Sequence, residues 1–398
     1  MTDTSAIISR PSIMRFVKAN VRDYALLLSL LAIMVFFQFA TKGILFTPLN
    51  MTNIILQNSY IVIMALGMLL IIVAGHIDLS VGFLSGFIGA IAGVMMVSWK
   101  FDAVSSVAVC ILIGTAIGSM QGYLVARFRI PAFIVTLAGM LIFRGLMIAM
   151  LSGQNLGPFP KSFQAISNGY VPDFFSALSP NGINLFALVV GAAVTGIILW
   201  SNHRSRQLQE AHGMAEEPIE LFYGRNALIA AAFLGFSWIM ANHKGLPNVL
   251  VTMFALVALF IFITTRTTFG RRVYALGGNE KAARLSGINT ERVTIYIFAI
   301  MGALSAFAGL VYAARLNSAQ PKAGAGLELD VIAACFIGGA AVTGGVGKIT
   351  GVVIGAFIMG VMNNGMGIMG VGIDWQQVIK GAVLMLAVFL DVYYKNKG

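Results

Sequence analysis

A short polar segment between two apolar runs carries the first candidates for chemistry. Positions 74–82 read AGHIDLSVG. Ionisable and hydroxyl groups at such a place are costly in lipid and usually face a pore or another polar group, so His76, Asp78 and Ser80 are candidates for a translocation path. The alternative is structural, with Asp78 capping a helix that starts near Leu79. One histidine that titrates near neutral pH does not establish a proton relay.

Amide side chains within or beside the apolar runs form a second set of candidates. Amides exchange hydrogen bonds with hydroxyl groups without demanding charge, so they suit a path for polyhydroxylated solutes. The candidates for this path are Asn58, Gln121, Asn363 and Asn364, with Gln57, Arg144, Gln376, Gln377 and Lys380 as further polar residues in or beside the apolar runs. Each could instead be an interhelical contact worth under about 2 kcal/mol.

The sequence lacks motifs for ATP hydrolysis and for metal chemistry. Val342 stands where a phosphate loop requires its first glycine, and Ile349 follows Lys348 in place of serine or threonine. There is no HExxH motif and no carboxylate or histidine cluster with metal spacing. Cys110 and Cys335 each lie inside an apolar run and predict packing, not a disulfide or a metal site. We therefore expect no catalytic residue, no metal and no cofactor.

Apolar helices must position these residues. The 398 residues are 58% hydrophobic and only 10% charged, with a mean hydropathy of +0.88, whereas a soluble domain has roughly 25% charged residues. The natural solvent for most of this chain is therefore lipid. The net charge of +11 is best explained by basic cytoplasmic loops, and nucleic-acid binding is not expected. The predicted fold class is an all-α, polytopic transmembrane helical bundle.

Twelve apolar stretches approach the roughly 20 residues that a membrane span requires. They are 24–40, 54–74, 81–98, 103–126, 131–151, 183–201, 226–241, 249–265, 294–314, 329–344, 347–366 and 375–392. With alternating crossings, the loops on the N-terminal side hold three times as many lysines and arginines as the opposite loops, which predicts that both termini are cytoplasmic. We expect 10 to 12 spans, because the glycine-rich stretches between 329 and 366 could be broken or re-entrant.

The predicted organisation has three parts. A cytoplasmic N-terminal segment covers 1–23, a single membrane domain covers 24–392, and a cytoplasmic tail covers 393–398. Within the membrane domain, the inside loop 266–292 is the most structured. Asn279 is a good N-cap, Glu280 suits the positive end of a helix, and Gly287 is a natural stop. These residues predict a short helix outside the bilayer that docks to a cytoplasmic partner; the alternative is a basic anchor without a partner.

Glycines at regular spacing predict close helix packing. The recurring positions are Gly114, Gly118 and Gly122, and then Gly347, Gly351 and Gly355. A small residue every fourth position lets transmembrane helices approach closely. We call each of these two sets of three glycines a stripe. Because amides follow the stripe in both halves of the chain, the pattern also hints at an internal repeat.

Several of these segments together resemble one family. The segment 75–82, the run IPAFIVTLAG at 130–139 and the run GRRVYALGGN at 270–279 are similar to motifs of bacterial ABC importer permeases for monosaccharides, such as those for ribose, xylose, arabinose and galactose. Smaller matches follow at 282–284, 287–289, 328–330, 337–339, 344–347 and 380–381, so the resemblance runs from about 24 to 392. His76 replaces a frequent glycine, and 202–247 looks like an inserted loop with an extra helical hairpin. Both departures resemble the xylose and multiple-monosaccharide permeases.

The resemblance implies a division of labour in an importer of the bacterial inner membrane. The permease would translocate xylose, or several sugars such as galactose, arabinose and glucose, through a pore formed by a dimer in the lipid. A separate cytoplasmic ABC ATPase subunit would hydrolyse ATP, and a periplasmic sugar-binding protein would deliver the sugar. We expect a homodimer, with a heterodimer as the open alternative. The residues implied in coupling to the ATPase are Gly270, Arg271, Tyr274, Gly277, Gly278, Asn279, Glu280, Ala282, Ala283, Arg284 and Gly287.

Two other classes of protein remain as alternatives at this point. A secondary transporter would be favoured by paired charges inside the spans, and this chain has few of them. An intramembrane enzyme would have to rely on His76 and Asp78, without a recognisable nucleophile or metal set.

Overall fold

The computed structural model describes residues 21–179, 182–212 and 217–395. Fifteen α-helices occupy most of this part of the chain, and it contains two isolated β-bridges but no strand. The predicted all-α class is therefore confirmed. Most of the predicted N-terminal segment, up to residue 20, and residues 396–398 of the predicted tail lie outside the described residues.

The helices follow the apolar runs of the sequence. In chain order they are α1 (Val21–Ala40), α2 (Pro48–Val73), α3 (Val81–Gly93), α4 (Ala103–Phe128), α5 (Ala132–Leu151), α6 (Lys161–Asn168), α7 (Leu185–Ala211), α8 (Ile219–Ala241), α9 (Asn248–Arg266), α10 (Thr268–Gly278), α11 (Glu280–Leu285), α12 (Thr290–Leu316), α13 (Leu327–Ile337), α14 (Ile349–Ile368) and α15 (Ile373–Lys395). A π-helical turn, Val94–Ser98, continues α3. Each of the twelve predicted spans overlaps one of these helices.

Nine of the helices in the described chain are long and apolar enough to cross a membrane. They are α2, α3 with its π-helical turn, α4, α5, α7, α8, α9, α12 and α14. The polytopic character of the prediction is thus confirmed, whereas the total number of crossings and the side of the termini stay predictions.

The predicted interruption between 329 and 366 is present. Helix α13 has 11 residues, which rise about 16 Å and cannot cross a hydrocarbon core of roughly 30 Å alone. The chain then runs without regular structure from Gly338 to Lys348, where Gly339, Gly344 and Gly345 have φ angles of +87°, +82° and +72°. Glycine adopts this left-handed backbone readily, and it ends the helix. We call 338–348 the glycine segment.

At two of the predicted glycine positions on each stripe, an added β-carbon would clash with a carbonyl oxygen. A β-carbon at Gly118 would be 2.2 Å from the carbonyl oxygen of Phe298 on α12, and one at Gly114 would be 2.6 Å from that of Gly302. On the second stripe, a β-carbon at Gly355 would be 2.1 Å from the carbonyl oxygen of Ala334 on α13, and one at Gly351 would be 2.1 Å from that of Gly338, just after α13. The backbones at these positions approach as closely as the missing side chains allow.

The remaining stripe positions differ in their surroundings. Gly122 packs against α12, where an added β-carbon would lie 2.8 Å from the Phe298 Cβ. Gly347 precedes α14 and belongs to the glycine segment, where its neighbour is the Leu69 side chain, 2.6 Å from an added β-carbon. The first stripe is therefore helical throughout, whereas the second becomes helical only from its middle member.

The described contacts divide the chain into two compact units. The smaller unit includes Val171–Leu246 and holds the helical hairpin of α7 and α8. Helix α8 lies within the predicted insertion 202–247, whereas most of α7 precedes it. The hairpin is joined near its ends by a hydrogen bond of 3.0 Å from the Asn184 amide to the Ala241 carbonyl. The larger unit includes Thr52–Tyr170 and the chain from Pro247 onward, and it contains every predicted site residue.

Candidate translocation and coupling sites

The short helix predicted in the loop 266–292 is α11, and its caps are those that the sequence suggests. The Asn279 side chain accepts a hydrogen bond of 3.0 Å from the Ala282 amide, which satisfies a free N–H group of the first turn. At the other end Gly287 has a φ angle of +82°, and the Ile288 amide donates to the Ala283 carbonyl at 3.1 Å. This left-handed glycine stop is the Schellman arrangement. The helix prediction is confirmed.

Sequence reasoning missed the helix before it, α10. Thr267 caps this helix, because its hydroxyl oxygen accepts a hydrogen bond of 3.2 Å from the Gly270 amide. The capping threonine was the available signal, but three glycines in the following run argue against a helix on propensity alone. Helix α10 ends at Gly278, so Asn279 separates the two helices and caps the second.

Helix α10 joins the membrane helices through closely packed backbone. A β-carbon on Gly277 would lie 1.6 Å from the carbonyl oxygen of Val73, the last residue of α2. The same oxygen accepts a hydrogen bond of 2.8 Å from the Gly345 amide. Nearby, the Tyr274 hydroxyl donates to the Gly347 carbonyl at 2.6 Å, and burial raises the pKa of this hydroxyl, so it stays protonated. We call this meeting of α2, α10 and the glycine segment the coupling junction.

The predicted coupling residues divide by exposure. Gly270 and Ala283 are buried, Tyr274 and Gly277 are half-buried, and Arg271, Gly278, Asn279, Glu280, Ala282, Arg284 and Gly287 are exposed. Leu285, which the sequence analysis did not single out, is 90% exposed at the end of α11. One side of this segment therefore packs on the membrane helices. The other side exposes charged groups and one large apolar side chain, Leu285.

The candidates for the translocation path lie in three separate places. Asp78, Ser80 and Gln121 form a buried cluster in which one Asp78 carboxylate oxygen accepts from the Ser80 amide at 2.8 Å and from the Ser80 hydroxyl at 2.7 Å. The Gln121 amide donates to the Ser80 hydroxyl oxygen at 3.1 Å. The Asp78 carboxylate therefore closes a turn onto the backbone two residues on. It does not cap α3, as the structural alternative predicted, because α3 begins at Val81 with Ser80 as its N-cap residue.

His76 belongs to a different place. It lines a cavity of about 420 Å³ together with Arg129 and with Glu280 and Arg284 from the α11 helix. Its ring centre is 6.0 Å from that of Phe298. His76 thus faces the coupling segment and not the Asp78 cluster.

The amide candidates gather at a larger cavity of about 670 Å³, lined by parts of α2, α13, α14 and α15. Asn58 and Asn363 line it, and the buried Asn364 lies beside it with its amide 3.4 Å from the Gln57 side-chain oxygen. Lys380 also lines it and forms an ion pair of 3.0 Å with Asp330. In the sequence, Asp330 is recognisable only as part of a family motif at 328–330. The available signal was its acidic neighbour Glu328, just before the apolar run 329–344, because two carboxylates so close to an apolar run indicate that polar residues gather there.

Comparison with known proteins identifies the family. The family model described as branched-chain amino acid transport system / permease component matches residues 50–388. The xylose transport system permease protein XylH of Haemophilus influenzae is 38% identical over 95% of this chain and 98% of its own length. XylH of Escherichia coli strain K12 is also 38% identical, over 95% of this chain and 94% of its own. The ribose import permease protein RbsC of the same strain is 33% identical over 94% of this chain and 95% of its own.

No solved structure matches the chain. The match to the family model covers most of the nine long apolar helices, the coupling segment and the larger cavity. The relatives align over nearly their whole length and are transport proteins, not enzymes. The chain therefore belongs to this family of permease components and is a multi-pass inner-membrane subunit of an ABC importer.

Proposed function

We propose that the chain moves a monosaccharide, with xylose as the first candidate, inward across the bacterial inner membrane. The observation that carries this proposal is the 38% identity to xylose permeases over 95% of the chain. The ribose permease is less similar, at 33%. The amide side chains of the larger cavity support a polyhydroxylated solute, because each amide offers both donors and an acceptor.

The energy would come from a separate ATPase subunit on the cytoplasmic side. The exposed charges of α11 and the exposed Leu285 support a docking surface for such a partner. The packing of α10 against Val73 supports transmission, since movement of this helix must displace the end of α2. A periplasmic binding protein would deliver the sugar, and two copies of the permease would form the pore.

Uptake by reconstituted vesicles tests the proposal. The permease is reconstituted with its ATPase and its binding protein, and uptake of labelled xylose is measured with and without trapped ATP. Uptake that requires both ATP and the binding protein is the expected result. Uptake driven by an ion gradient alone, without the ATPase, would instead establish a secondary transporter.

Competition identifies the solute in the same vesicles. Ribose, galactose, arabinose and glucose are added in excess, and leucine serves as the representative of branched-chain amino acids, which the family description names. We expect one or more of the sugars to compete with xylose and leucine to have no effect. Uptake of leucine but of none of the sugars would refute the proposed substrate class.

A further inference from the structure

The larger cavity has the size and the chemistry of a solute-binding site. Its volume of about 670 Å³ lies within the range of roughly 300–1,000 Å³ that is usual for small-molecule pockets. The polar side chains used below are Asn58, Asp330, Asn363, Gln377 and Lys380. They supply an amide, carboxylate and ammonium set, in which every group can donate to or accept from a hydroxyl.

An ion pair forms one wall of this cavity. Lys380 Nζ is 3.0 Å from Asp330 Oδ1, and the Asn363 amide donates to Asp330 Oδ2 at 3.0 Å. Asp330 is only 4% exposed and lies in the first turn of α13, where the positive end of the helix favours a carboxylate. The two charges neutralise each other, so this wall attracts neutral hydroxyl groups without demanding a charged solute.

Two amides of the same cavity have unused hydrogen-bonding capacity. Asn58 is 1% exposed, and neither its Nδ2 nor its Oδ1 has a hydrogen-bond partner among the described residues. The Oδ1 of Asn363 is likewise buried without a partner in the described part of the chain. Buried polar groups are nearly always hydrogen-bonded, so such orphans require an explanation. The Asn58 amide is held against α14, where a β-carbon on Gly360 would lie 1.4 Å from its Nδ2.

The position of the cavity fits a solute that arrives from outside. Its lining includes Arg315 at the end of α12, Leu327 at the start of α13 and Ile373 at the start of α15. The predicted orientation places these three helix ends on the side opposite the coupling junction. A binding protein docked on that side would release its sugar close to the cavity.

We propose that this cavity is a direct sugar-contact site, in which Asn58, Asn363 and the Asp330–Lys380 pair hydrogen-bond a monosaccharide during its passage. The proposal rests on the proposed function and deepens it, because it gives the permease a share in choosing the sugar.

Two variants test the proposal in the complete transporter. Asn363→Leu removes an amide at the ion pair, whereas Gln377→Leu alters an exposed lining residue and should leave folding unchanged. Gln209→Leu, the same exchange at an exposed position on α7, is the matched control. Uptake of labelled xylose, ribose and galactose is measured in vesicles, beside the ATPase activity that the loaded binding protein stimulates.

We expect Asn363→Leu to lower xylose uptake about ten-fold, the effect of losing one hydrogen bond within a charged network, with stimulated ATPase activity retained. Gln377→Leu should change the relative rates for the three sugars, and Gln209→Leu should change neither quantity. Wild-type uptake and sugar ranking in both cavity variants would overturn the proposal, as would a parallel loss of uptake and ATPase activity. If the wild type itself imports none of the sugars, the proposed function fails first, and this outcome is distinguishable from the others.

Discussion

The amide of Gly345 donates a hydrogen bond of 2.8 Å to the carbonyl oxygen of Val73, 272 positions earlier in the chain. The last carbonyl groups of a helix have no partner within that helix, so this bond satisfies one of them at the end of α2. Gly277 of α10 lies against the same oxygen. One carbonyl group is thus shared by the membrane helix, the coupling segment and the glycine segment, and a displacement of α10 must disturb all three.

The coupling junction predicts a difference between two adjacent glycines. A β-carbon on Gly277 would lie 1.6 Å from the Val73 oxygen, whereas one on Gly278 would have no neighbour within 4 Å among the described residues. Gly277→Ala should therefore displace α10 and lower ATP-driven uptake several-fold, and Gly278→Ala should transport normally. Parallel uptake and ATPase assays on the two variants check this. Equal uptake by the two variants would contradict a close contact at Gly277.

The end of α11 predicts a second effect on coupling. Gly287 has a φ angle of +82°, whereas proline is restricted to about −65°. Gly287→Pro should leave membrane insertion intact but abolish sugar-stimulated ATPase activity, because the last turn of the helix cannot close. Gly287→Asn is the control, since asparagine tolerates the left-handed backbone at this position. A fully coupled proline variant would show that the geometry of this helix end is irrelevant.

The buried face of α11 can be tested independently of its end. Ala283 is 4% exposed, whereas its neighbour Ala282 is exposed. Ala283→Asp should uncouple transport, because a carboxylate without a partner is costly to bury. Ala282→Asp adds the same charge on the exposed side and should retain more of the uptake than Ala283→Asp. The uptake rates of the two variants are measured side by side. Lower uptake by Ala282→Asp than by Ala283→Asp would contradict the described packing.

The contact between α4 and α12 predicts a loss of stability. A β-carbon on Gly118 would be 2.2 Å from the Phe298 carbonyl oxygen. Gly118→Ala should lower the free energy of unfolding by about 1–3 kcal/mol, the usual cost of overpacking. Gly196 on α7 has no neighbour within 4 Å of an added β-carbon in the described part of the chain, so Gly196→Ala should be neutral or slightly stabilising. Unfolding in detergent, monitored by circular dichroism, compares the stability of the two variants. Equal stability would show that the helices separate easily at this point.

Arg144 predicts a water-filled space beside α5. It is exposed, with its guanidinium 5.6 Å from the centre of the Phe83 ring. A charged side chain facing the middle of the lipid costs roughly 2.5–3.5 kcal/mol or more, so we expect this face to be turned away from lipid. Arg144→Cys should react with a membrane-impermeant thiol reagent, whereas a cysteine in place of Ile142, two positions away and 56% exposed, should not.

The native cysteines do not disturb this labelling experiment, because Cys110 and Cys335 are both fully buried. Equal labelling at positions 142 and 144 would mean that the two faces of α5 have the same surroundings. No labelling at position 144 in the separate subunit would place the arginine in lipid after all.

Local features were predictable from the sequence because their causes are local. The apolar runs predicted the membrane helices, since hydropathy is a property of consecutive residues. Asn279 and Gly287 predicted α11, because an N-cap residue and a C-terminal glycine each act within one turn of the helix end. Helix α10 was missed because its glycines lower helix propensity, and contacts with Val73 and Gly347 hold it in place. Those contacts come from distant parts of the chain.

The distribution of the polar residues could not be predicted for the same reason. His76 and Asp78 are two residues apart, yet one lines the cavity beside α11 and the other bonds Ser80 in a buried cluster. Conversely, Asn58 and Lys380 are far apart in sequence and line one cavity. Sequence spacing identifies residues of the right chemistry, but only tertiary packing assigns them to a common site.

The coupling junction also determines what a mutational scan of this protein would reveal. Its central contacts join the backbone groups of Val73, Gly277 and Gly345, so removal of side chains leaves them in place. Replacement of every residue by alanine would detect these backbone contacts only at Gly277 and Gly345, where alanine adds an atom. In this part of the molecule, sensitivity to a gain of volume, and not to a loss, would mark the residues that carry movement into the membrane.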